Sequence, residues 1–306
     1  MFSSENISIL YDPINEQNTF SSGDTISGRV ILDLAEETEI NYLSVKAKGK
    51  AEVLWSETLK DETVTYHAKE KYFKLAQYIL QKQQKDSKIV TAGIHEYSFT
   101  FQIPEGKMPI SFKGDFGKNI YTLEAKLSRA VRMKSKAKAE FTFLPKDVKI
   151  GPELMSPQFA SKEKSMKLFT YGNVYMNIST EKMGYLQGED IRVTAVIENK
   201  SSRTVVPKFV LYQKQSFFAR GKRKLSINPI LKQEGDPINS SVHQTVTKTL
   251  KMPVNLSMSI LTFPILKVEY RLKVYLDIPM AKDLEVKLPL IILPAPGSLG
   301  PMTQPS

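Results

Sequence analysis

The chain has 306 residues, a formal net charge of +11 and no cysteine. That length suits about two domains, and each half is large enough to bury a core of its own. Without cysteine, these residues offer no disulfide framework, no thiolate metal site and no cysteine nucleophile. The opening Met1-Phe-Ser-Ser-Glu5-Asn6 lacks the basic-then-apolar pattern of a secretory signal. The strongest apolar run, Leu288-Pro-Leu-Ile-Ile-Leu293, is too short to span a bilayer. A soluble protein of a reducing, cytoplasmic compartment is therefore expected.

Taken in order, the segments alternate apolar and polar with a period of two. Phe20-Ser-Ser-Gly23-Asp24-Thr-Ile26 reads as a turn entering a strand that carries Val30-Ile31-Leu32. Glu36, Glu37 and Glu39 fall in a turn-like stretch and read as a solvated loop, not as an acid–base pair. Leu43-x-Val45-x-Ala47 runs on to Gly49 and Ala51. Between Tyr66 and Gln84 two readings fit. Lys69, Tyr72, Phe73, Ala76, Ile79 and Leu80 have helical spacing, while an extended strand followed by a polar loop over 81–88 fits nearly as well. Tyr97-x-Phe99-x-Phe101-x-Ile103 and Tyr121-x-Leu123-x-Ala125-x-Leu127 alternate without a fault, separated by a Pro-Glu-Gly turn at 104–106. In the second half Phe209-x-Leu211 and Tyr270-x-Leu272-x-Val274-x-Leu276 do the same, with turns at 187–189 and 234–237. Alternation places every second side chain on one sheet face, and many short strands with regular turns indicate an all-β sandwich.

The landmarks occur twice. Phe20…Gly23-Asp24…Ile26 returns 165 residues later as Tyr185…Gly188-Glu189…Ile191. Ile103-Pro104 with Tyr121 to Leu127 returns 149 residues later as Met252-Pro253 with Tyr270 to Leu276. Two copies of one domain are expected, with an insertion in the first copy that accounts for the shorter offset. The expected bounds are a sandwich over 1–150, a linker over 151–165, a sandwich over 166–294 and a disordered Pro/Gly/Ser-rich tail over 295–306.

Charge is uneven. Residues 1–150 carry a net +2 and the remainder +9, and Asn199 to Gln233 holds nine Lys or Arg and no acid. Such a bias points to an anionic partner, against the plainer reading of a solvated basic face. Two candidate surfaces follow. Arg132, Lys134, Lys136 and Lys138 fall on one face of a strand with Ala137 and Ala139 opposite; the plainer reading is an edge strand protected by lysines. Arg220, Lys222, Arg223 and Lys224 form a basic loop suited to lipid phosphates or phosphorylated tails. Phe217 and Phe218 alone interleave with these cations, so nucleic acid is not an expected partner.

Nothing in the sequence has catalytic or metal-binding form. His67, His95 and His243 are the only histidines, and none pairs at a metal-ligand spacing. There is no nucleophile elbow, P-loop or dinucleotide fingerprint. A non-enzyme without cofactor is expected.

Particular segments resemble a known family. They are Phe20-Ser-Ser-Gly-Asp-Thr-Ile-Ser-Gly-Arg-Val30, Val45-Lys-Ala-Lys-Gly-Lys-Ala51 with Trp55, His95 to Pro104, and Gly184-Tyr-Leu-Gln-Gly-Glu189. Ile197 to Arg203, Gln213 to Ala219 and Leu284 to Leu290 complete the set. In this order and spacing, over about residues 5 to 294, the chain resembles the α-arrestins, or arrestin domain-containing proteins. The resemblance implies two tandem arrestin-like, immunoglobulin-like β-sandwiches. It implies an adaptor at plasma-membrane and endosomal surfaces that passes receptors or transporters to HECT-type ubiquitin ligases and endosomal sorting. A structural cargo-binding subunit of a retromer-like coat is the alternative. The family's ligase contact uses Pro-Pro-x-Tyr motifs, and none occurs in these residues. A cysteine-dependent link to thioredoxin, used by one relative, is also excluded for them.

Overall fold

The computed structural model describes residues 6–60, 62–81, 88–130, 133–146, 150–166 and 171–295. Two compact units account for the chain: Met1–Lys146 with Phe218–Lys222, and Asp147–Phe217 with Arg223–Ser306. The strands of the first half are β1 (Asn6–Tyr11), β2 (Thr19–Phe20), β3 (Thr25–Leu34), β4 (Thr38–Leu59), β5 (Glu62–Gln81), β6 (Lys88–Val90), β7 (Gly93–Gln102), β8 (Phe112–Lys113), β9 (Gly117–Arg129) and β10 (Ser135–Phe143). One turn of helix, α1 (Pro152–Met155), follows. The second half contains β11 (Gln158–Ser165), β12 (Asn173–Thr180), β13 (Gly184–Leu186), β14 (Asp190–Asn199), β15 (Val206–Ala219), β16 (Lys222–Glu234), β17 (Val242–Lys251), β18 (Leu266–Asp277) and β19 (Leu284–Leu293).

Each half is a sandwich of two sheets, and the repeat is visible strand by strand. In the first half β1-β3-β7 faces a sheet of order β2-β10-β9-β4-β5, with β6 on β4 and β8 on β9. In the second half the orders are β11-β12-β14-β17 and β13-β19-β18-β15-β16. Thr19 and Phe20 pair in parallel with Thr142 and Phe143; Gly184 and Tyr185 pair in parallel with Ile291 and Ile292. The entry turns also match. The amide of Ser21 donates to Asp24 Oδ2 at 2.8 Å, and the amide of Leu186 donates to Glu189 Oε2 at 2.8 Å. Gly23 and Gly188, at φ 77° and 80°, take the left-handed conformation both turns require.

The alternating residues fill the cores. Leu43, Val45, Ala47, Leu123, Ala125 and Leu127 are buried in the first, and Phe209, Leu211, Leu272, Val274 and Leu276 in the second. Period-two patterning thus buries one face of each sheet. Tyr121 and Tyr270 occupy matched places on β9 and β18. Tyr121 Oη donates to the Pro109 carbonyl at 2.6 Å, and Tyr270 Oη donates to the Ser257 carbonyl at 2.6 Å while accepting from Gln213 Nε2 at 2.6 Å. Burial pushes both phenols above their ordinary pKa. Tyr270→Phe leaves Gln213 and the Ser257 carbonyl short of a buried partner, so a loss of about 2 kcal/mol is expected. Tyr121→Phe should lose about 1 kcal/mol. Urea denaturation of both variants checks this; equal losses would contradict it.

One open reading closes and one expectation changes. Over 66–81 the strand reading holds and the helical one does not: β5 pairs with β4 from Leu59↔Glu62 to Tyr42↔Gln81. The hairpin β4–β5 also carries most of the first-half insertion, with strands of 22 and 20 residues against 14 and 13 in β15–β16. Within the expected linker 151–165, residues 152–155 form α1 and 158–165 form β11, an edge strand paired with β12 from Gln158↔Thr180 to Ser165↔Asn173. An edge strand with one polar face need not alternate apolar residues. The expected loop over 82–87 and the tail from 296 onward lie outside the described residues.

Candidate anion-binding surfaces

β10 presents the first surface. Along it Lys136 and Lys138 are exposed, while Ala137 and Ala139 pack against the core. Lys134 is exposed just before the strand, and Arg132 lies outside the described residues. Arg129, at the end of β9, is instead buried and donates to the Met133 carbonyl and to Ser135 Oγ, closing the β9–β10 turn.

The sheet register adds cations that lie far apart in sequence. Lys136 sits opposite Lys126 on β9, which sits opposite Ser44 on β4. Lys138 sits opposite Glu124, and Glu124 opposite Lys46. One row further, Glu140 pairs with Thr122, Thr122 with Lys48, and Lys48 with Lys74 on β5. These residues occupy the face opposite the core residues of each strand. Lys46, Lys48, Lys74 and Lys126 were not singled out in the sequence, although Lys46-x-Lys48-x-Lys50 is the polar phase of the alternation that buries Val45 and Ala47.

Glu124 is the central carboxylate of this face. Partial burial works to raise its pKa, but the Lys48 ammonium, 3.2 Å away, and the charges of Lys136 and Lys46 outweigh it and hold it below the usual carboxylate value. Tyr42, at the end of these rows, shows the same field. Burial works to raise the phenol, and the contact with Lys126 together with the Lys134 charge brings it below its ordinary value.

Glu52, further along β4, collects Lys50 at 2.8 Å, Lys69 at 3.0 Å and His67 at 3.0 Å. The hydrogen bond from Lys50 contributes most, burial opposes it, and the carboxyl is pulled down to about 2. A depressed carboxylate stabilises the fold above its ordinary value and loses that contribution as pH falls toward the folded one. The stability difference between wild type and Glu52→Gln should therefore be full above pH 4.5, shrink between 4.5 and about 2, and vanish below. Denaturation of both forms across that range checks it; a difference independent of pH would refute it.

The second surface differs from expectation. Arg220 and Gly221 have φ 50° and 71°, so the segment is a two-residue hairpin turn of the kind that needs two left-handed residues. Lys222, Arg223 and Lys224 already belong to β16. Their side chains alternate between sheet faces, so a single cradle of four cations does not form. Arg220, Lys222 and Arg223 are exposed and Lys224 is half-buried. Arg223 donates through Nε and Nη2 to Ser216 Oγ at 3.2 and 2.7 Å.

Among the described residues no group of three or more His, Asp or Glu is placed to hold a metal ion. His95 Nε2 lies 2.8 Å from the Thr91 carbonyl. His243 lines a shallow cleft of about 370 Å³ with Glu163, Tyr175 and Glu198 on the outer face of the β11-β12-β14-β17 sheet. Among the described residues no helix is long and apolar enough to cross a membrane.

Comparison with known proteins follows the same division. The description "Arrestin (or S-antigen), N-terminal domain" matches residues 7–147, and its C-terminal counterpart matches residues 170–297. Arrestin domain-containing protein 4 of Mus musculus is 32% identical over 283 residues, covering 89% of this chain and 68% of the relative. The Homo sapiens protein of that name is 33% identical over 283 residues, with the same coverage of 89% and 68%. Thioredoxin-interacting protein of Mus musculus is 30% identical over 281 residues, covering 90% and 70%.

Proposed function

The chain belongs to the arrestin family, among its α-arrestin members, and on that premise we propose that it is a non-catalytic adaptor for membrane-protein cargo. It works at the cytosolic faces of the plasma membrane and endosomes and links receptors or transporters to ubiquitination and sorting. Its domains divide near residues 150 to 165. The observation that carries this reading is the pair of complete sandwiches in tandem, each with its own core. Fold alone does not assign function, and the family relationship supplies the direction.

Pro-Pro-x-Tyr does not occur within these residues, so no WW-domain contact with a HECT-type ligase is assigned to them. Relatives named for interaction with thioredoxin suggest that protein as a partner, but no cysteine here can form a mixed disulfide with it. Arg220, Lys222, Arg223 and Lys224 on the β15–β16 hairpin, and Lys134, Lys136 and Lys138 on β10, are the anion-binding residues of this reading, with Arg132 beside them in sequence.

The test is affinity capture of the chain from detergent-solubilised membranes after cross-linking in cells. Receptors or transporters with ubiquitin ligases at substoichiometric levels are the expected recovery. Stoichiometric capture of a fixed set of coat subunits would instead identify a sorting-coat component, and capture of neither would refute the adaptor reading.

A further inference from the structure

The lysine face of the first unit's large sheet leaves more of its cations without a carboxylate than its second-half counterpart does. Lys46, Lys126, Lys134 and Lys136 form no ion pair among the described residues. Lys136 and Lys126 stand directly opposite one another in the ladder, an arrangement that destabilises a sheet when nothing neutralises it. The matching face of β15, β18 and β19 is built mostly of ion pairs, although Lys273 forms none among the described residues and stands directly opposite Lys287. Lys208 meets Asp277 at 2.6 Å, Lys214 meets Glu269 at 3.1 Å, Arg271 meets Glu269 at 3.5 Å and Lys287 meets Glu285 at 2.8 Å. One architecture thus occurs twice, and among the described residues the first copy leaves Lys46, Lys126, Lys134 and Lys136 without a carboxylate partner where the second leaves Lys273. The fold does not require so many unpaired lysines there.

We propose that this face, around Lys126, Lys134 and Lys136 at the β9–β10 end of the sheet, docks the protein on an anionic lipid bilayer. Three observations favour a bilayer over a phosphorylated peptide. First, the cations of these rows are all lysine: Lys74, Lys136 and Lys138 are exposed, and Lys46, Lys48 and Lys126 half-buried. Lysine is a compact, mobile point charge suited to a diffuse anionic surface, whereas bidentate recognition of one phosphate favours arginine. The one described arginine nearby, Arg129, is turned inward to Met133 and Ser135. Second, the cations are spread over adjacent strands, about 4.8 Å apart, and do not converge on a pocket. Third, apolar groups accompany them. Met133 is 90% exposed beside Lys134, and the Tyr42 ring lies 5.9 Å from Lys126 Nζ and packs edge-on against Tyr78. Exposed apolar and aromatic groups flanked by lysines suit the headgroup region of a membrane.

The inference deepens the adaptor reading by naming the surface that meets the membrane, and its test separates the two. The chain is sedimented with phosphatidylcholine vesicles, with and without phosphatidylserine, at low and at physiological salt. Wild type should partition onto the phosphatidylserine vesicles and weaken as salt rises, because exposed charges are screened. The variant Lys126→Gln/Lys134→Gln/Lys136→Gln should lose about fivefold in partitioning per lysine, hence about a hundredfold in all. Lys214→Gln/Lys273→Gln/Lys287→Gln makes the same change in net charge on the second unit's face and should bind nearly as wild type. Circular dichroism confirms that both triples fold.

Equal loss in the two triples would show that net charge alone drives adsorption and would overturn the proposal. So would wild-type partitioning by the first triple, or binding by wild type that ignores phosphatidylserine. Loss of binding to a phosphorylated peptide with vesicle partitioning unchanged would assign the face to peptide and overturn it too. Cargo capture from detergent should survive in the first triple. Failure of wild type to capture cargo, with vesicle binding intact, would remove the adaptor reading and leave the membrane surface standing.

Discussion

Asn199→Asp is expected to destabilise the second sandwich by about 4 kcal/mol or more at neutral pH, on the scale of buried-charge substitutions. Asn199 ends β14 and is fully buried. Its Nδ2 donates to the carbonyls of Arg203 at 2.7 Å, Ile238 at 3.0 Å and Asn239 at 3.1 Å. Its Oδ1 accepts from the amide and hydroxyl of Ser201 at 3.1 and 2.7 Å. One side chain thus ties the turn after β14 to the segment before β17. Aspartate keeps the shape and the Ser201 contacts but turns an anionic oxygen toward three carbonyls, of which Ile238 keeps only the Val205 amide and Arg203 only the Ser201 hydroxyl as donor. Asn199→Ala removes the bonds without adding a charge and should lose about 3 kcal/mol. Such an Asp is driven above its ordinary pKa, so its penalty is present at neutral pH and shrinks as pH falls through the raised value. Hydrogen exchange across 190–251 at two pH values reads this directly. An Asp variant as protected as wild type at neutral pH would sink the argument.

The sequence made the sheet architecture legible because burial on one face imposes a period of two. The offsets of 165 and 149 map β3 onto β14 and β7 onto β17 without remainder. Where β5 read as helical, the cause is two bulges. Gly49 pairs with Phe73 and Lys50 with Lys71, leaving Tyr72 as the extra residue; Leu43 pairs with Leu80 and Ser44 with Tyr78, leaving Ile79. Each bulge reverses the phase of the strand, so apolar residues fall at 72, 73, 79 and 80 and imitate helical spacing. β11 escaped notice because its exposed, edge-strand sequence Gln-Phe-Ala-Ser-Lys-Glu-Lys-Ser lacks an apolar phase. The lysine face was half legible. Lys134, Lys136 and Lys138 are close in sequence, whereas Lys46 and Lys126 join them only through the ladder of β4, β9 and β10. The hairpin at 220–224 shows the opposite error. Residues clustered in sequence separate in space once a strand alternates their directions.

Gly28→Ala should destabilise the first sandwich by about 3 kcal/mol, the scale of overpacking a filled site. Gly28 has ordinary backbone angles, so conformational freedom is not what it supplies. It supplies room. A Cβ there would lie 2.1 Å from the Leu10 carbonyl oxygen, 2.8 Å from Tyr11 Cα and 2.8 Å from Phe99 Cζ. Two of these are backbone atoms of β1, so relief requires moving the strand and not merely rotating a side chain. That strand end carries Tyr11, which packs edge-on against Phe20 and Phe141 and donates from its hydroxyl to the Glu140 carbonyl at 3.1 Å. Tyr11 therefore links the small sheet to β10 of the large one, and lifting β1 breaks that link. The second sandwich shows that the architecture does not itself demand glycine. Its matching residue is Val193, fully buried and paired with Thr180 of β12. Ordinary Gly→Ala changes at unstrained positions gain about 0.4–1 kcal/mol through the unfolded chain, so the sign of the effect is diagnostic. Tyr11→Phe isolates the hydroxyl and should lose about 1 kcal/mol. Urea denaturation with hydrogen exchange in β1 decides the matter: unchanged or raised stability in Gly28→Ala would mean that β1 yields freely, and that the close approach at Gly28 is not what seats Tyr11.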